Sequence, residues 1–92
     1  MKLNIQLLVN KNAEPEEVLG AFALYAFKAE RIIPTVNDRY SYQIDGGLND
    51  TRAKIGDDNS ITFYYRYESQ IQRLTMLVKT FTEKCNEVTI NN

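Results

Sequence analysis

Residues Asp38–Tyr67 read DRYSYQIDGGLNDTRAKIGDDNSITFYYRY, and their pattern predicts three consecutive β-strands. Separated by turn-forming residues, the predicted strands are Arg39–Asp45, Asp50–Gly56 and Ser60–Tyr67. Within each strand the side chains alternate between two faces, as a pleated backbone requires. We therefore expect this meander to form the centre of an antiparallel sheet.

One face of the predicted meander is apolar, and the other is polar and basic. The apolar face carries the residues that we expect to be buried: Tyr40, Tyr42, Ile44, Ala53, Ile55, Ile61, Phe63, Tyr65 and Tyr67. The polar face carries the residues that we expect in solvent: Arg39, Ser41, Gln43, Arg52, Lys54, Thr62, Tyr64 and Arg66. The rest of the chain must therefore cover the apolar face.

The segment before the meander predicts a strand followed by a helix. Alternating side chains in Lys2–Val9 indicate a half-buried strand. Helix one is predicted from Pro15 to about Arg31, because proline is tolerated at the first helical position, where its missing N–H costs nothing. Glu16 and Glu17 in the first turn suit the positive end of the helix dipole.

The segments that flank the meander predict a connector, a second helix and a short strand. Ile32–Asn37 is predicted to be a connector or a backward extension of the next strand. Helix two is predicted from a cap at Ser69 to about Asn86, since Gln72 completes a Ser-x-x-Gln capping box. Val88–Ile90 is predicted to form a short final strand.

These elements predict one α+β domain over residues 1–92, in the order β-α-β-β-β-α-(β). A mostly antiparallel sheet with two helices packed on one face is a two-layer sandwich. The sequence leaves the strand order open. We expect the first strand to pair with a member of the meander through a right-handed crossover around helix one.

The composition limits the chemistry that the chain can perform. It has 92 residues, a formal net charge of -1, one cysteine and no histidine. Without histidine, the commonest general base and the commonest zinc ligand are missing, and the lone Cys85 falls on the apolar stripe of helix two. We therefore expect no enzymatic activity, no metal site and no cofactor.

The sequence predicts a cytoplasmic protein. Its first residues, Met1–Ile5, alternate in polarity and do not form the continuous apolar run of a signal peptide. No stretch approaches the roughly 18 apolar residues that a membrane-spanning helix needs. A single cysteine also excludes an intrachain disulfide, which fits a reducing compartment.

Helix one carries a second apolar stripe that a helix packed on a sheet does not need. Placed at 100° per residue, its main stripe comprises Val18, Phe22, Tyr25, Ala26 and Ala29, with Leu19 at the edge. Gly20, Leu24 and Phe27 project to the other side, with Ala23 close by. These four residues are a candidate protein-interaction surface, unless the connector or a chain terminus covers them.

The polar sheet face is a second candidate surface. Its predicted binding residues are Arg39, Arg52, Lys54, Tyr64 and Arg66. Cations beside an aromatic ring on an open sheet can hold phosphates and stack a base, and they suit an acidic protein equally well. The same residues also fit a solvated face on which arginine stems shield tyrosine rings.

Two functional hypotheses follow. The first is a small non-enzymatic protein that acts by protein–protein contact, as an inhibitor, a regulator or an assembly subunit, with an unknown partner or with a second copy of itself through helix one. A lean to Asn, Ile, Lys and Tyr suits an AT-rich genome, so a phage-encoded inhibitor is one form of this hypothesis. The alternative is a nucleic-acid-binding module that uses the basic sheet face.

Overall fold

The structure, a computed structural model, describes residues 1–35, 38–44 and 51–91, with the backbone alone at residues 38–40. Its elements are β1 (Lys2–Val9), α1 (Pro15–Phe27), β2 (Ile32–Thr35), β3 (Asp38–Ile44), β4 (Arg52–Ile55), β5 (Ser60–Tyr64), α2 (Ile71–Lys84) and β6 (Val88–Asn91). The strands form a six-stranded sheet in the order β2-β3-β4-β5-β1-β6, with every neighbouring pair antiparallel. Both helices pack against this sheet, so the predicted α+β architecture is confirmed.

The predicted alternation of the meander is confirmed for most of its length. On the apolar face Ile55 is half-buried, and the following residues are buried: Tyr42, Ile44, Ala53, Ile61, Phe63 and Tyr65. The prediction is wrong for Tyr67, whose side chain is 53% exposed. It is also wrong for Thr62, which was expected in solvent but is buried, because the side chain of Gln6 in β1 packs beside it and donates to its hydroxyl. Strand β5 ends at Tyr64, and the chain then turns into a short 3-10 helix at Glu68–Gln70. The side chain of Tyr40 and the whole predicted loop at Asp45–Asp50 lie outside what the structure describes.

The strand order brings together segments that are far apart in the sequence. Ile32–Thr35 forms the edge strand β2, so the predicted connector contains a strand of its own that pairs with β3. Strand β1 lies between β5 and β6, so its predicted pairing with the meander is confirmed. The expected crossover is wrong in its destination, because α1 leads from β1 to β2 at the opposite side of the sheet.

Helix α1 ends at Phe27, before the predicted Arg31. Lys28 adopts the left-handed conformation with φ 57°, and its N–H donates to the carbonyl oxygen of Leu24 at 3.1 Å. A residue in this conformation commonly ends a helix. The early end frees the following residues to enter the sheet as β2.

The buried side of α1 is wider than the predicted stripe, of which Val18 and Phe22 are buried as expected. Leu19, Ala23 and Phe27, which are spaced four residues apart, are buried in the core. Tyr25 lies at the margin instead, with its ring centre 5.9 Å from that of Phe81. The reason is that α1 also contacts β2, so the sheet extends beneath the side of the helix that was expected to face solvent.

Phe22 joins the two layers of the molecule. Its ring centre lies 4.8 Å from that of Phe63 in β5 and 5.4 Å from that of Phe81 in α2. The ring of Phe27 meets it edge-on at 6.0 Å. Aromatic pairs at such distances contribute stability beyond the area that they bury. Among the described residues, this cluster and both helices lie on one face of the sheet, and the opposite face carries exposed strand residues such as Arg52 and Lys54.

The start of α2 is fixed by Gln70. Its Oε1 accepts hydrogen bonds from the backbone N–H groups of Arg66 and Tyr67, each at 3.0 Å. The predicted capping box of Ser69 and Gln72 is therefore wrong, because the 3-10 helix precedes α2 and moves the cap towards β5.

Candidate functional site

The predicted interaction surface on helix one is only partly exposed. Leu24 is 60% exposed, and a Cβ added at Gly20 would meet no atom within 4 Å. Ala23 and Phe27 are 0% and 7% exposed, since they pack onto the sheet. The prediction that these two residues are available to a partner is therefore wrong, and what remains is one exposed leucine near a glycine.

The sheet face opposite the helices carries the predicted basic residues. On β4, Arg52 and Lys54 are exposed, and on β5, Tyr64 is half-buried. Arg66, just beyond β5, is exposed as well. The side chain of Arg39 lies outside the described residues. The structure therefore brings Arg52, Lys54, Tyr64 and Arg66 to one surface, which we call the open face.

Tyr64 stands between two cations on the open face. Lys2 in β1 is its register partner on one side, and Arg52 in β4 is its partner on the other. Residues directly opposite each other on antiparallel strands project to the same face, with Cβ atoms about 4.5–5.5 Å apart. The register therefore places a lysine and an arginine on either side of Tyr64 in one row across three strands, and β1 has a register shift between Lys2 and Gln6.

The neighbouring row on the open face is polar and internally hydrogen-bonded. Register pairs join Lys54 to Thr62, Thr62 to Gln6 and Gln6 to Asn91. The Gln6 amide donates to the Thr62 hydroxyl at 2.6 Å, and the Asn91 amide donates to Gln6 Oε1 at 3.1 Å. These hydrogen bonds fix the side chains of the row that lies beside the cation row.

The open face has one sign of charge within the described residues. Among the paired strand residues whose side chains the structure describes on this face, none is Asp or Glu. The chain as a whole nevertheless has a net charge of -1. Glu16 and Glu17 lie in the first turn of α1, on the other side of the sheet. The described charged side chains of the open-face strands are therefore cations, which are complementary to an anion.

A shallow depression opens beside the cation row at the end of β5. It has a volume of about 400 Å³ and is lined by Met1, Arg52, Tyr64, Tyr65 and Arg66. Met1 and Tyr65 define one side: the N-terminal ammonium of Met1 donates to the Tyr65 carbonyl oxygen at 2.7 Å, and the Tyr65 N–H donates to the Met1 carbonyl oxygen at 2.8 Å. Two guanidinium groups and a tyrosine ring around one concavity can receive an aromatic, anionic group.

Two groups away from the open face have displaced pKa values for structural reasons. Burial and a hydrogen bond to the Glu16 carboxylate raise the pKa of Tyr42 to about 12. The Ser60 hydroxyl and N–H donate to Asp58 Oδ1 at 2.6 and 3.1 Å, and these bonds hold the pKa of Asp58 below its ordinary value. The first contact ties α1 to β3, and the second closes the turn between β4 and β5.

Neither a metal site nor a membrane-spanning helix is found in residues 1–35, 38–44 and 51–91. No group of three or more His, Cys, Asp or Glu side chains in this part of the chain stands close enough to hold a metal ion. Neither helix there is long and apolar enough to cross a membrane. Comparison with family models, curated proteins and solved structures finds no match. Geometry and charge are therefore the basis for a functional proposal.

Sequence reasoning missed Lys2, Met1 and Tyr67 as neighbours of the basic residues. The alternation of β1 does place Lys2 on the polar side of its strand. Its position beside Tyr64 depends on the strand order, which no local pattern contains. Tyr67 was assigned to the core because β5 was expected to continue to that residue.

Proposed function

We propose that the protein is a non-enzymatic binding protein that binds single-stranded nucleic acid on its open face. The observation that supports this proposal is the row Lys2–Tyr64–Arg52, in which an aromatic ring lies between two cations. A base stacked on the ring would place its neighbouring phosphates within reach of the flanking charges. Stacking and charge pairing then act on one strand at the same time.

The magnitudes are sufficient for measurable binding. A base stacked on an aromatic side chain contributes about 1–3 kcal/mol. Each phosphate that is neutralised by a cation releases counterions, which adds affinity at low salt. Three described cations are register partners of Tyr64 or line the same depression, namely Lys2, Arg52 and Arg66, and Lys54 lies in the next row. We expect micromolar affinity at low salt and little dependence on base sequence, because stacking tolerates every base.

An acidic protein is the competing partner for the same surface. Its carboxylates would pair with the cations, but they would make no specific interaction with a tyrosine ring placed between two cations. In a nucleotide, the base stacks on the tyrosine ring and the phosphate pairs with the cations. The polar side chains of the neighbouring row can also bond to phosphate or sugar oxygens. For this reason we favour a nucleic acid over an acidic polypeptide.

Burial leaves little of the predicted interaction surface on helix one exposed to a protein partner. Two of its four residues, Ala23 and Phe27, are buried, and Leu24 alone supplies exposed apolar area. A single exposed leucine is ordinary on a soluble protein. The open face retains every one of its described residues, so it is the stronger basis for a function.

The test is fluorescence anisotropy with labelled oligothymidylate and oligouridylate of about twelve nucleotides at low salt. We expect the wild type to bind both probes and the variant Arg52→Ala/Lys54→Ala to bind at least tenfold more weakly. The matched control is Arg73→Ala/Lys79→Ala, which removes the same two charges from exposed positions on α2. It should bind like the wild type.

Two results would contradict the proposal. One is the absence of binding to either oligonucleotide at low salt by a folded protein. The other is equal loss of affinity in both double variants, since that would indicate a general charge effect. Labelled polyglutamate is measured in parallel, and binding to it without binding to the oligonucleotides would assign the open face to an acidic protein instead.

A further inference from the structure

Tyr67 lies in an unusual position for a large aromatic residue. Its side chain is 53% exposed, although it lies shortly after the end of β5, which carries Tyr64. The guanidinium carbon of Arg66 lies 5.4 Å from the centre of the Tyr67 ring. Arg66 also lines the depression that contains Tyr64. One arginine therefore adjoins both the ring of Tyr67 and the depression.

The backbone around Tyr67 is held in place on both sides. Gln70 Oε1 accepts from the N–H groups of Arg66 and Tyr67, and the Gln70 N–H donates back to the Tyr67 carbonyl oxygen at 2.9 Å. On the other side, Met1 and Tyr65 exchange two hydrogen bonds. The exposed ring thus stands on a fixed segment, which lowers the entropy cost of binding there.

We infer that Tyr67 is a second stacking residue, which receives a nucleotide adjacent to the one on Tyr64 while Arg66 holds the phosphate between them. This inference rests on the proposed function and gives the bound strand a path. The bound nucleic acid would leave the open face through the depression. It would then turn past the end of β5 towards the start of α2.

The experiment compares three variants with the wild type by anisotropy, using the same labelled oligothymidylate. Tyr67→Leu removes the aromatic ring and retains an apolar side chain, whereas Tyr67→Phe retains the ring. The matched control is Tyr25→Leu, because Tyr25 is also exposed and also lies beside a cation, with the Lys84 ammonium 6.0 Å from its ring centre. Thermal melts establish that each variant is folded.

Tyr67→Leu is expected to weaken binding about tenfold, whereas Tyr67→Phe and Tyr25→Leu bind like the wild type. Quenching of tyrosine fluorescence by the oligonucleotide should also be smaller in Tyr67→Leu than in Tyr25→Leu. If Tyr67→Leu binds normally while Arg52→Ala/Lys54→Ala does not, the inference is overturned and the proposed function stands. If the wild type binds no oligonucleotide, the proposed function fails and the inference fails with it.

Discussion

At the scale of single residues, Tyr42 connects the helix layer to the sheet through one polar contact. Its hydroxyl lies under α1 and donates to the carboxylate of Glu16 in the first turn of that helix. Burial of the phenol and proximity to this carboxylate both oppose ionisation. The neutral form of Tyr42 is therefore the one that the fold stabilises.

This contact predicts a stability loss in base. The pKa of Tyr42 is about 12 in the folded protein, against the ordinary value of 10.0, so its contribution is fully present below pH 10. The contribution decreases as the pH rises from about 10 to about 12, by about 2 kcal/mol. Denaturant unfolding of the wild type and of Tyr42→Phe across this range measures it. The wild type should lose more stability than the variant, and equal losses would contradict the assignment.

Phe27 and Leu24 differ in burial although both were expected on one exposed surface. Phe27→Ala should destabilise the protein by about 3–4 kcal/mol, because it removes a ring that packs against Phe22 in the core. Leu24→Ala should cost less than about 0.5 kcal/mol, because its side chain is mostly in solvent. Chemical denaturation of both variants measures the loss in free energy of unfolding. Equal losses would contradict the arrangement in which α1 buries Phe27 and leaves Leu24 in solvent.

At the scale of elements, the turn between β4 and β5 depends on Gly56 and Asp58. A Cβ at Gly56 would lie 2.9 Å from Asp58 Oδ1 and 2.9 Å from the Ser60 hydroxyl. Gly56→Ala must therefore displace the carboxylate that closes the turn. Asn59 in the same turn adopts the left-handed conformation with φ 64°, which asparagine tolerates.

We expect Gly56→Ala to lower the melting temperature, and to lower it less when Asp58 is already replaced by alanine. The two changes disrupt the same hydrogen bonds to Ser60, so their effects should not add. A double-mutant cycle of thermal melts measures the coupling. Additive losses would mean that the glycine is required for another reason.

The elements themselves could be predicted from the sequence to a large extent. Alternation in the meander and in β1 indicates which side chains face the core, and it was correct for the described apolar-face residues from Tyr42 to Tyr65. It failed for Thr62, because the burial of this polar residue depends on its neighbour Gln6 in β1. Helix ends were less predictable, because the end of α1 depends on the conformation of one residue, Lys28. The additional burial of Ala23 and Phe27 on α1 depends on contact with β2, which is a tertiary effect that helical periodicity does not predict.

At the scale of the whole molecule, the candidate site follows from the strand order. Lys2 and Arg52 are 50 positions apart in the sequence, yet both lie beside Tyr64 because β1 and β4 flank β5. The sequence identified the basic face from the three strands of the meander, with Arg39 in β3 beside the residues of β4 and β5. It missed the contribution of β1, because local patterns do not determine which strands become neighbours.

The net charge of -1 also determines how binding must work. The protein as a whole does not attract a polyanion over long distances, so affinity has to come from contacts on the open face. Such contacts are counted by the salt dependence of binding. For single strands, the slope of log K against log salt is about −0.7 for each phosphate neutralised.

The most direct test of the account is therefore the salt dependence of oligothymidylate binding by the wild type and by Arg52→Ala/Lys54→Ala. With contacts from Lys2, Arg52, Lys54 and Arg66, we expect a slope of about −2.8 for the wild type and about −1.4 for the double variant. A wild-type slope near zero, or a slope that the double variant leaves unchanged, would show that the open face does not bind the strand.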